Sequence, residues 1–582
     1  MAGLRTVDEK LQTPRRPATT GMKWWGWGDE RVSFTHTDKP ALAPFIKRHL
    51  GLDVEGQTSR PVAFDDLRIP EPSMAPDLQA ALEGAVGGEA VSTDPLDRVV
   101  HARGKCLRDL VRHRRGDLGR LPDAVVRPRK EDEVAAVMRA VVDADAVLIP
   151  FGGGTNISGS LEAPETEERT VISVDMGLMD RVLDIDEESR LARVQAGVLG
   201  PRLEEQLNAR GWTLGHFPDS FTHSTLGGWI ATRSSGMQSD KYGDVADLTR
   251  AVRVVTPAGI LATRPVPHTS TGPSVREMVL GSEGRVGIIT EATVHVHRVP
   301  ERRTILGYLF PSWSEALAAM REIAAGEASP SVTRVSDANE TQFSFATRKD
   351  PSLVDRLKSK VLSEYLRRRR DFDLEAMCLS FIGYEGTKDR VAAQRKLVGR
   401  IVSRHGGLCV GSGPGELYDQ KKFDTPYIRD YLLDRGAPGD VSETSAPWSA
   451  LPTLYNEVTA AAQEAFDDLG VRGYTMCHLS HSYHAGACLY FTFAFKPSGQ
   501  RDVLEEYDVV KSAIQQKFVD SGATLSHHHA VGTEHAQWLE QDISGPGVAM
   551  LRALFDGVDP GANLNPGKIV TSDRHVASPE AD

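Results

Sequence analysis

The chain has 582 residues, of which 40% are hydrophobic and 25% charged, values typical of a folded protein with more than one hydrophobic core. Its 68 Lys and Arg residues against 80 Asp and Glu residues give a net charge of −12, which repels phosphate backbones and argues against general nucleic-acid binding. The five cysteines contain no CxxC pair, which argues against a disulfide framework and against a zinc ribbon.

The predicted location is the cytoplasm. The sequence has no run of about eighteen apolar residues that would span a membrane. Its first residues, MAGLRTVDEKLQTPRR, lack the apolar stretch of a secretory signal. The last residues, SPEAD, are not a peroxisomal address of the SKL type. Any contact with a membrane is therefore expected to be peripheral.

The predicted fold class is α+β, with four parts in chain order. Residues 1–118 form an extended and helical arm, whose aromatic cluster KWWGWG at 23–28 docks on another part of the protein. Residues 119–298 form a first α+β domain and residues 299–530 a second one. Residues 531–582 are expected to return to the first domain.

The first domain begins with a βαβ pattern. DAVVRP from residue 123 and VLIPF from residue 147 predict strands, and EDEVAAVMRAVVDADA between them predicts an amphipathic helix. VRVVTPAGILATR from residue 252 predicts a hairpin. Beyond residue 300, helical patterns such as LPTLYNEVTAAAQEAFDDLG alternate with strand patterns such as ACLYFTFAF, which indicates a second mixed domain.

Three stretches of the first domain carry candidate chemistry. PFGGGTN at 150–156 follows a predicted strand, and its glycines let backbone N–H groups approach a phosphate, although a plain tight turn also explains the pattern. Residues 219–244 alternate hydroxyl groups with glycines, so a large polar ligand would satisfy their backbone groups. GSEGRVGIIT at 281–290 is a glycine-rich turn before a strand, and in isolation it is typical of a hairpin corner.

Together and in this order, the three stretches resemble the FAD-binding domain of the vanillyl-alcohol-oxidase-type (PCMH-type) flavoproteins. The resemblance implies a two-subdomain FAD-binding domain followed by a cap, or substrate, domain. It also implies that the GGGT loop, residues 152–155, holds the FAD pyrophosphate and that the other two stretches complete the groove. FAD is expected to be noncovalent, since the loop has no histidine for attachment. The residues assigned to FAD in this way are Pro150, Gly152, Gly153, Gly154, Thr155, Asn156, Asp219, Ser220, Thr222, Ser224, Thr225, Thr232, Ser234, Ser235, Ser282, Glu283, Val286 and Ile288.

Further matches indicate one branch of these flavoproteins, the alkyldihydroxyacetonephosphate synthase (alkylglycerone-phosphate synthase) family. The stretches that resemble this family are MKWWGWGD from residue 22, PYIRD from 426, SETSAPW from 442, SYHAGACLYFTFAF from 482, SHHHAVG from 526 and LNPGKIV from 564. The resemblance implies an FAD-dependent transferase that exchanges the acyl group of acyl-dihydroxyacetone phosphate for a fatty alcohol through a flavin N5 adduct, which makes an ether-lipid precursor. It also implies lipid substrates and a homodimer. The alternative is an FAD-linked oxidoreductase that acts on a 2-hydroxy acid or an alcohol.

The resemblance assigns catalysis to Tyr483 and to His527, His528 and His529. A phenol whose pKa is lowered by nearby positive charge can exchange a proton with the substrate, which suits Tyr483. The three histidines line the active site by resemblance. If their segment is extended, alternate side chains point apart, so no metal centre is expected. Where the family has an acidic residue after the tyrosine, this chain has His484.

Strand periodicity predicts that His481 shares a face with Tyr483, whereas His478 faces the other way. Two arginines are the cationic candidates, because a phosphate group and an electron-rich flavin both require such partners. By family position Arg334 lies near the flavin and Arg429 near the substrate. A surface salt bridge is the alternative explanation for each arginine.

Overall fold

The computed structural model describes residues 19, 21–55, 59–349, 364–370 and 372–570. The ends of the chain that bear on targeting, residues 1–18 and 571–582, lie outside the described residues. Helices and strands both contribute to the described part, which contains sheets of four, five and seven strands. The predicted α+β class is confirmed. No helix of the described part is long and apolar enough to cross a membrane.

The arm docks on the cap through a buried ion pair. Lys23 Nζ lies 2.9 Å from Asp430 Oδ2, and the Trp27 N–H donates to the same carboxylate. Trp27 is buried and packs edge-on against His223 of the first domain. The arm therefore contacts both domains. Its helices are α1 (Leu42–Leu50), α2 (Pro76–Val86), α3 (Pro95–Val100) and α4 (Leu107–Arg114).

The first domain contains two sheets. The first has the order β1-β2-β4-β3, from β1 (Val91–Ser92), β2 (Ala124–Val126), β3 (Val147–Phe151) and β4 (Val171–Asp175). The predicted βαβ unit forms with helix α5 (Glu131–Asp143), but β4 lies between its two strands and is parallel to both. These parallel strands are buried on both faces, as continuous apolar runs require.

The second sheet of the first domain has the strand order β5-β6-β10-β8-β9. Each pair of neighbouring strands in it is antiparallel. Its strands are β5 (Val182–Asp186), β6 (Leu191–Gln195), β8 (Thr249–Thr256), β9 (Gly259–Ala262) and β10 (Ile288–His295). The predicted hairpin is confirmed as β8 and β9. Two short strands, β7 (Trp212–Thr213) and β11 (His297–Arg298), pair with each other. The helices are α6 (Gly200–Asn208), α7 (Leu226–Thr232), α8 (Ser239–Tyr242), α9 (Val245–Leu248) and α10 (Val275–Val279).

The cap is built on a seven-stranded antiparallel sheet. Its strands are β12 (Arg302–Phe310), β13 (Val332–Ser336), β14 (Cys378–Gly386), β15 (Leu408–Gly411), β16 (Gly439–Pro447), β17 (Arg472–Ser482) and β18 (Gly486–Lys496). Their order is β15-β12-β14-β13-β17-β18-β16. The cap helices are α11 (Trp313–Ala325), α12 (Ala338–Ala346), α13 (Lys388–Arg404), α14 (Gly413–Lys421), α15 (Ile428–Leu433), α16 (Leu451–Leu469) and α17 (Val503–Asp520). Helix α16 shows why they form: its buried Leu451, Leu454, Val458, Ala462 and Ala465 recur every three or four residues.

The C-terminal segment packs against the first domain. It contains helix α18 (Leu539–Val558), which is kinked at Ser544. Beyond this helix, Leu564 forms a parallel bridge with Leu148 of β3. The Leu148 N–H donates to the carbonyl oxygen of Asn563 at 2.7 Å, and the Asn565 N–H donates to the Leu148 carbonyl oxygen at 2.9 Å. The segment thus extends the parallel sheet directly beside the strand that precedes the GGGT loop.

Candidate active site and FAD groove

One cavity of about 830 Å³ joins the glycine-rich stretches of the first domain to the cap. Its walls come from the GGGT loop, from residues 219–235, from cap strands β13, β17 and β18, and from helix α1 of the arm. Most of the residues assigned to FAD line it. They are Pro150, Gly152, Gly153, Gly154, Thr155, Asn156, Asp219, Ser220, Ser224, Thr225, Thr232, Ser234, Ser235, Glu283 and Ile288.

Three other residues assigned to FAD do not line this cavity. Val286 is buried in a hydrophobic core of the first domain, and Ser282 is buried just before it in the turn. Thr222 is exposed on the outer side of its turn. Asn565 lies in the cavity wall, although sequence reasoning did not single it out. The signal was present, because Asn565 belongs to the matched stretch LNPGKIV.

The GGGT loop lies directly against residues 219–225. A Cβ on Gly153 would overlap the carbonyl oxygen of His223, and one on Gly152 would overlap the hydroxyl of Thr225. Gly154 has a φ of 65°, which favours glycine. The loop continues into a turn held by Asn156, whose Oδ1 accepts the N–H groups of Ser158 and Ser160. The glycines therefore allow two backbone segments to meet at the cavity wall.

Residues 219–235 present hydroxyl groups around the start of helix α7. The Thr225 side chain caps the helix by accepting the Gly228 N–H, and Ser224 Oγ accepts the Trp229 Nε1–H at 2.7 Å. Gly228 itself lines the cavity. The N–H groups of Leu226 and Gly227 donate to the carbonyl oxygens of Val198 and Ala196, so the start of this helix gives the cavity wall hydroxyl groups and glycine surface but no free N–H group from these residues.

The Glu283 carboxylate accepts hydrogen bonds from other groups of the protein. Oε1 accepts the Val531 and Gly532 N–H groups at 2.9 and 3.1 Å, and Oε2 accepts the Ser160 hydroxyl. Burial raises the pKa of Glu283, against these hydrogen bonds, which lower it. The residue therefore ties the C-terminal segment to the turn after the GGGT loop.

The cavity wall carries buried polar atoms that lack a partner among the described residues. They include Trp27 Nε1, Asn565 Oδ1 and Arg429 Nε. Buried polar atoms are normally hydrogen-bonded, so unpaired ones at a cavity wall indicate a polar ligand. A glycine cradle and these unpaired groups fit FAD, whose pyrophosphate and ribityl chain offer many hydrogen-bonding atoms.

Glu443 of strand β16 holds the His triplet, defined as His527, His528 and His529. Its Oε1 accepts the three backbone N–H groups at 3.0, 3.0 and 3.1 Å, and it also accepts the Ser526 hydroxyl at 2.8 Å. The segment is therefore wound around a carboxylate and is not extended. This corrects the expectation that alternate histidines point apart.

The Glu443 carboxylate also controls the charge of the triplet. Burial alone would raise the pKa of Glu443, but the imidazoles of His528 and His529 hold it well below its usual value. In return, burial would lower the pKa of His528, but the carboxylate raises it. The pKa of His529 is lowered by burial and by His528. His528 is therefore the first of the triplet to carry a proton.

One cluster of possible metal ligands lies at the His triplet, and the nitrogens of one member, His481, already have hydrogen-bond partners. Ligand atoms of His481, Cys488, His527 and His528 lie within 4.8 Å of one another. In the structure, the His481 nitrogens face the Ser480 hydroxyl and the Gly236 carbonyl oxygen. The absence of a metal centre stays a prediction.

Tyr483 lies immediately beyond strand β17. Its hydroxyl oxygen is 2.6 Å from His527 Nε2 and 2.8 Å from Asp244 Oδ2. Burial and the Asp244 carboxylate raise the pKa of Tyr483 far above its usual value. The expectation of a lowered pKa was wrong, because the charge nearest to the phenol is negative. His484, the next residue, is exposed.

His478 and His481 share a face of the sheet, which contradicts the predicted alternation. A β-bulge between Leu479 and His481 adds one residue to strand β17. His478 pairs with Tyr490 and His481 with Cys488, and these partners are two residues apart on β18. Both histidines consequently line the cavity.

The two arginines form ion pairs with buried carboxylates and not surface salt bridges; Arg429 is buried and Arg334 is half-buried. Arg334 Nη2 lies 2.8 Å from Glu340 Oε1 and also contacts His478. Arg429 donates to the Lys105 carbonyl oxygen at 2.8 Å and faces Asp440 at 3.3 Å. Both arginines line the cavity. Of the two, Arg429 keeps a buried N–H, at Nε, without a partner among the described residues.

Comparison with known proteins agrees with this geometry. Family models for an FAD binding domain and for the C-terminal domain of FAD linked oxidases match residues 122–263 and 299–569. The alkyldihydroxyacetonephosphate synthase of Dictyostelium discoideum is 38% identical over 94% of this chain and 93% of its own length. That of Trypanosoma brucei brucei is 35% identical over 97% of this chain and 94% of its own length.

The chain belongs to the alkyldihydroxyacetonephosphate synthase family. A solved structure of an alkyldihydroxyacetonephosphate synthase superposes with a TM-score of 0.82 at 35% identity, covering 94% of this chain and 99% of that one. Membership of this family confirms the PCMH-type architecture and FAD as the cofactor. The roles of individual residues in the cavity stay predictions.

Replacing Gly153 by valine should abolish FAD binding, because any side chain there displaces residues 219–225 from the GGGT loop. The flavin-to-protein ratio of the purified variant, read from its absorbance, measures this. Gly84→Ala is the control, since Gly84 lies on exposed helix α2 and its Cβ would meet nothing within 4 Å. A Gly153→Val protein that still copurifies with flavin would contradict the loop assignment.

Replacing Glu443 by glutamine should disorder the His triplet. One acceptor oxygen becomes an NH₂ donor that faces backbone donors, at a cost of about 1–3 kcal/mol in unfolding free energy. Denaturant unfolding and turnover both measure the effect. Glu464→Gln on the exposed side of helix α16 is the matched control. Wild-type stability and activity in Glu443→Gln would show that the triplet does not depend on this carboxylate.

Proposed function

We propose that the protein uses FAD to exchange the acyl group of acyl-dihydroxyacetone phosphate for a fatty alcohol, which yields an ether-lipid precursor. The observation that carries the proposal is the pairing of Tyr483 with His527 at 2.6 Å. His527 packs against His481 and His528, which line the cavity that contains the glycine cradle. The names of the relatives at 38% and 35% identity support the same reaction.

The cofactor would lie between the GGGT loop and the start of helix α7, with its pyrophosphate on the loop's N–H groups. Asn565 would supply a hydrogen bond to its polar atoms. Bound FAD supplies the electron pair for the exchange at the substrate carbon. We expect noncovalent attachment, because residues 150–156, PFGGGTN, contain no histidine.

Arg429 is the proposed partner of the substrate phosphate. It lines the cavity, and the N–H at Nε has no partner among the described residues. Arg334, in contrast, is engaged with Glu340 and His478, which leaves it suited to a charge effect on the flavin ring. A guanidinium is the preferred group for binding phosphate oxygens in a buried site.

The fatty chain has an apolar wall to lie against. Phe45 and Ile46 of arm helix α1 line the same cavity, together with Phe343 and Phe493 of the cap. The arm therefore closes a hydrophobic compartment that the cap alone would leave open. Burial of an acyl chain there is favourable by about 0.8 kcal/mol for each CH₂ group.

Peripheral contact with a membrane is proposed at the cavity entrance. Val32 and Leu417 line the cavity and are exposed by 38% and 39% of their surface. Apolar side chains at the opening would let a lipid pass from a bilayer into the site without crossing water. A homodimer remains a prediction from the family resemblance.

Product analysis under anaerobic conditions tests the proposed reaction. The purified, FAD-loaded protein is incubated with palmitoyl-dihydroxyacetone phosphate and a fatty alcohol, without any electron acceptor. Equal amounts of free palmitate and ether product are expected, since the exchange moves no net electrons. If ether product is absent while a 2-hydroxy acid is oxidised in the presence of a dye, the oxidoreductase alternative replaces the proposal.

Replacing Tyr483 by phenylalanine should leave the protein yellow and folded, but lower turnover by about 10²–10⁴-fold. The ring preserves the packing, whereas the hydroxyl handles the proton. Flavin content and the initial rate of ether formation measure the two effects. Tyr365→Phe, at an exposed tyrosine, is the control. Full activity in Tyr483→Phe would remove Tyr483 from the mechanism.

A further inference from the structure

We propose that Asp244 is the proton acceptor behind Tyr483, a positioning residue that takes up the phenolic proton when Tyr483 accepts the proton of the substrate. The inference rests on the proposed function of this site. The phenolic oxygen lies 2.8 Å from Asp244 Oδ2 and 2.6 Å from His527 Nε2, so it stands between a carboxylate and an imidazole.

The fold brings the two side chains together from different domains. Asp244 follows Gly243, whose φ of 86° turns the chain, and it stands at the N-terminus of helix α9. The backbone of Tyr483 is fixed on the cap side, where its N–H donates to the Gly486 carbonyl oxygen and its own carbonyl oxygen accepts the Trp448 Nε1–H. Backbone contacts in both domains therefore fix the distance between the Tyr483 hydroxyl and the Asp244 carboxylate.

Asp244 is the charged member of the pair. Burial alone would raise the pKa of Asp244, but the imidazoles of His481 and His527 outweigh burial and lower it. The phenol, by contrast, is held in its neutral form by burial and by Asp244. The ionisable groups that face the pair from the packed elements are His216, Asp240, His481, Cys488, His527 and His528.

A neutral phenol beside a carboxylate can accept a proton only if it releases its own. In the proposed step the substrate's C–H proton bonds to the Tyr483 oxygen, the phenolic O–H bond breaks, and that proton bonds to Asp244 Oδ2. The C–H electron pair stays on the substrate carbon. No net charge leaves the site, and the reverse transfer returns the proton after the exchange.

Asp244→Asn tests the proposal. Asparagine keeps an acceptor for the phenolic O–H and is as good as aspartate at a helix N-terminus, but it cannot take up a proton. We expect an unchanged flavin content, a kcat lower by about 10²-fold or more, and little change in KM. Washout of the substrate's α hydrogen into D₂O, followed by mass spectrometry with palmitoyl-dihydroxyacetone phosphate alone, should slow by a similar factor.

Chemical rescue separates proton transfer from a structural role. Asp244→Gly keeps an acceptable helix N-terminus and leaves space for a small molecule. Formate should restore hydrogen exchange and turnover, whereas formamide, which has a similar shape but no charge, should not. Asp247→Asn is the matched control, since Asp247 lies in the same short helix, is exposed and contacts the Asp244 N–H instead of the phenol.

Near-wild-type turnover in Asp244→Asn, or equal rescue by formate and formamide, would overturn the proposal. If the wild type forms no ether product at all, the proposed function fails separately. Washout of the substrate's α hydrogen into D₂O then decides, since it needs no fatty alcohol. Slower washout in Asp244→Asn than in the wild type supports the proton transfer, and equal washout overturns it.

Discussion

The buried carboxylate of Glu443 is the interaction on which the catalytic end of the cavity depends. It accepts the Ser526 hydroxyl and the N–H groups of His527, His528 and His529. Three consecutive residues would otherwise place their side chains on alternate sides. Because their N–H groups converge on one charge, their imidazoles pack against one another, and those of His528 and His529 line the cavity. The same charge raises the pKa of His528, so one residue sets both the geometry and the protonation of the cluster.

Other buried carboxylates connect the remaining parts of the site in a similar way. Glu283 of the first domain accepts N–H groups of the C-terminal segment, and Asp430 of the cap accepts the Trp27 N–H and the Lys23 ammonium of the arm. A buried charge is costly unless it is fully hydrogen-bonded, so each carboxylate favours only the arrangement that brings its donors together. The alignment of the cradle, the arm and the His triplet is therefore cooperative.

Local patterns predicted the framework well. The strand before PFGGGTN, helix α5 and the β8–β9 hairpin all follow from periodicity and turn residues within about fifteen positions. Interactions between distant residues could not be read in this way. Glu443 and His527 are 84 positions apart, and Asp244 and Tyr483 are 239 apart. The raised pKa of Tyr483 escaped prediction because it depends on burial of the phenol and on that second contact. The bulge before His481 reversed a face assignment, because one extra residue changes the parity of a strand.

Anaerobic absorbance of the FAD-loaded protein tests the central claim most directly, namely that Tyr483 and the His triplet serve an exchange reaction without net redox change. The flavin band is followed while palmitoyl-dihydroxyacetone phosphate and D-2-hydroxy acids are added in separate experiments. If these residues serve the exchange, the lipid bleaches the band as fatty acid is released, and a fatty alcohol alone restores it. A band that does not change with the lipid, bleaches with a hydroxy acid and recovers only with oxygen or a dye would show net oxidation instead.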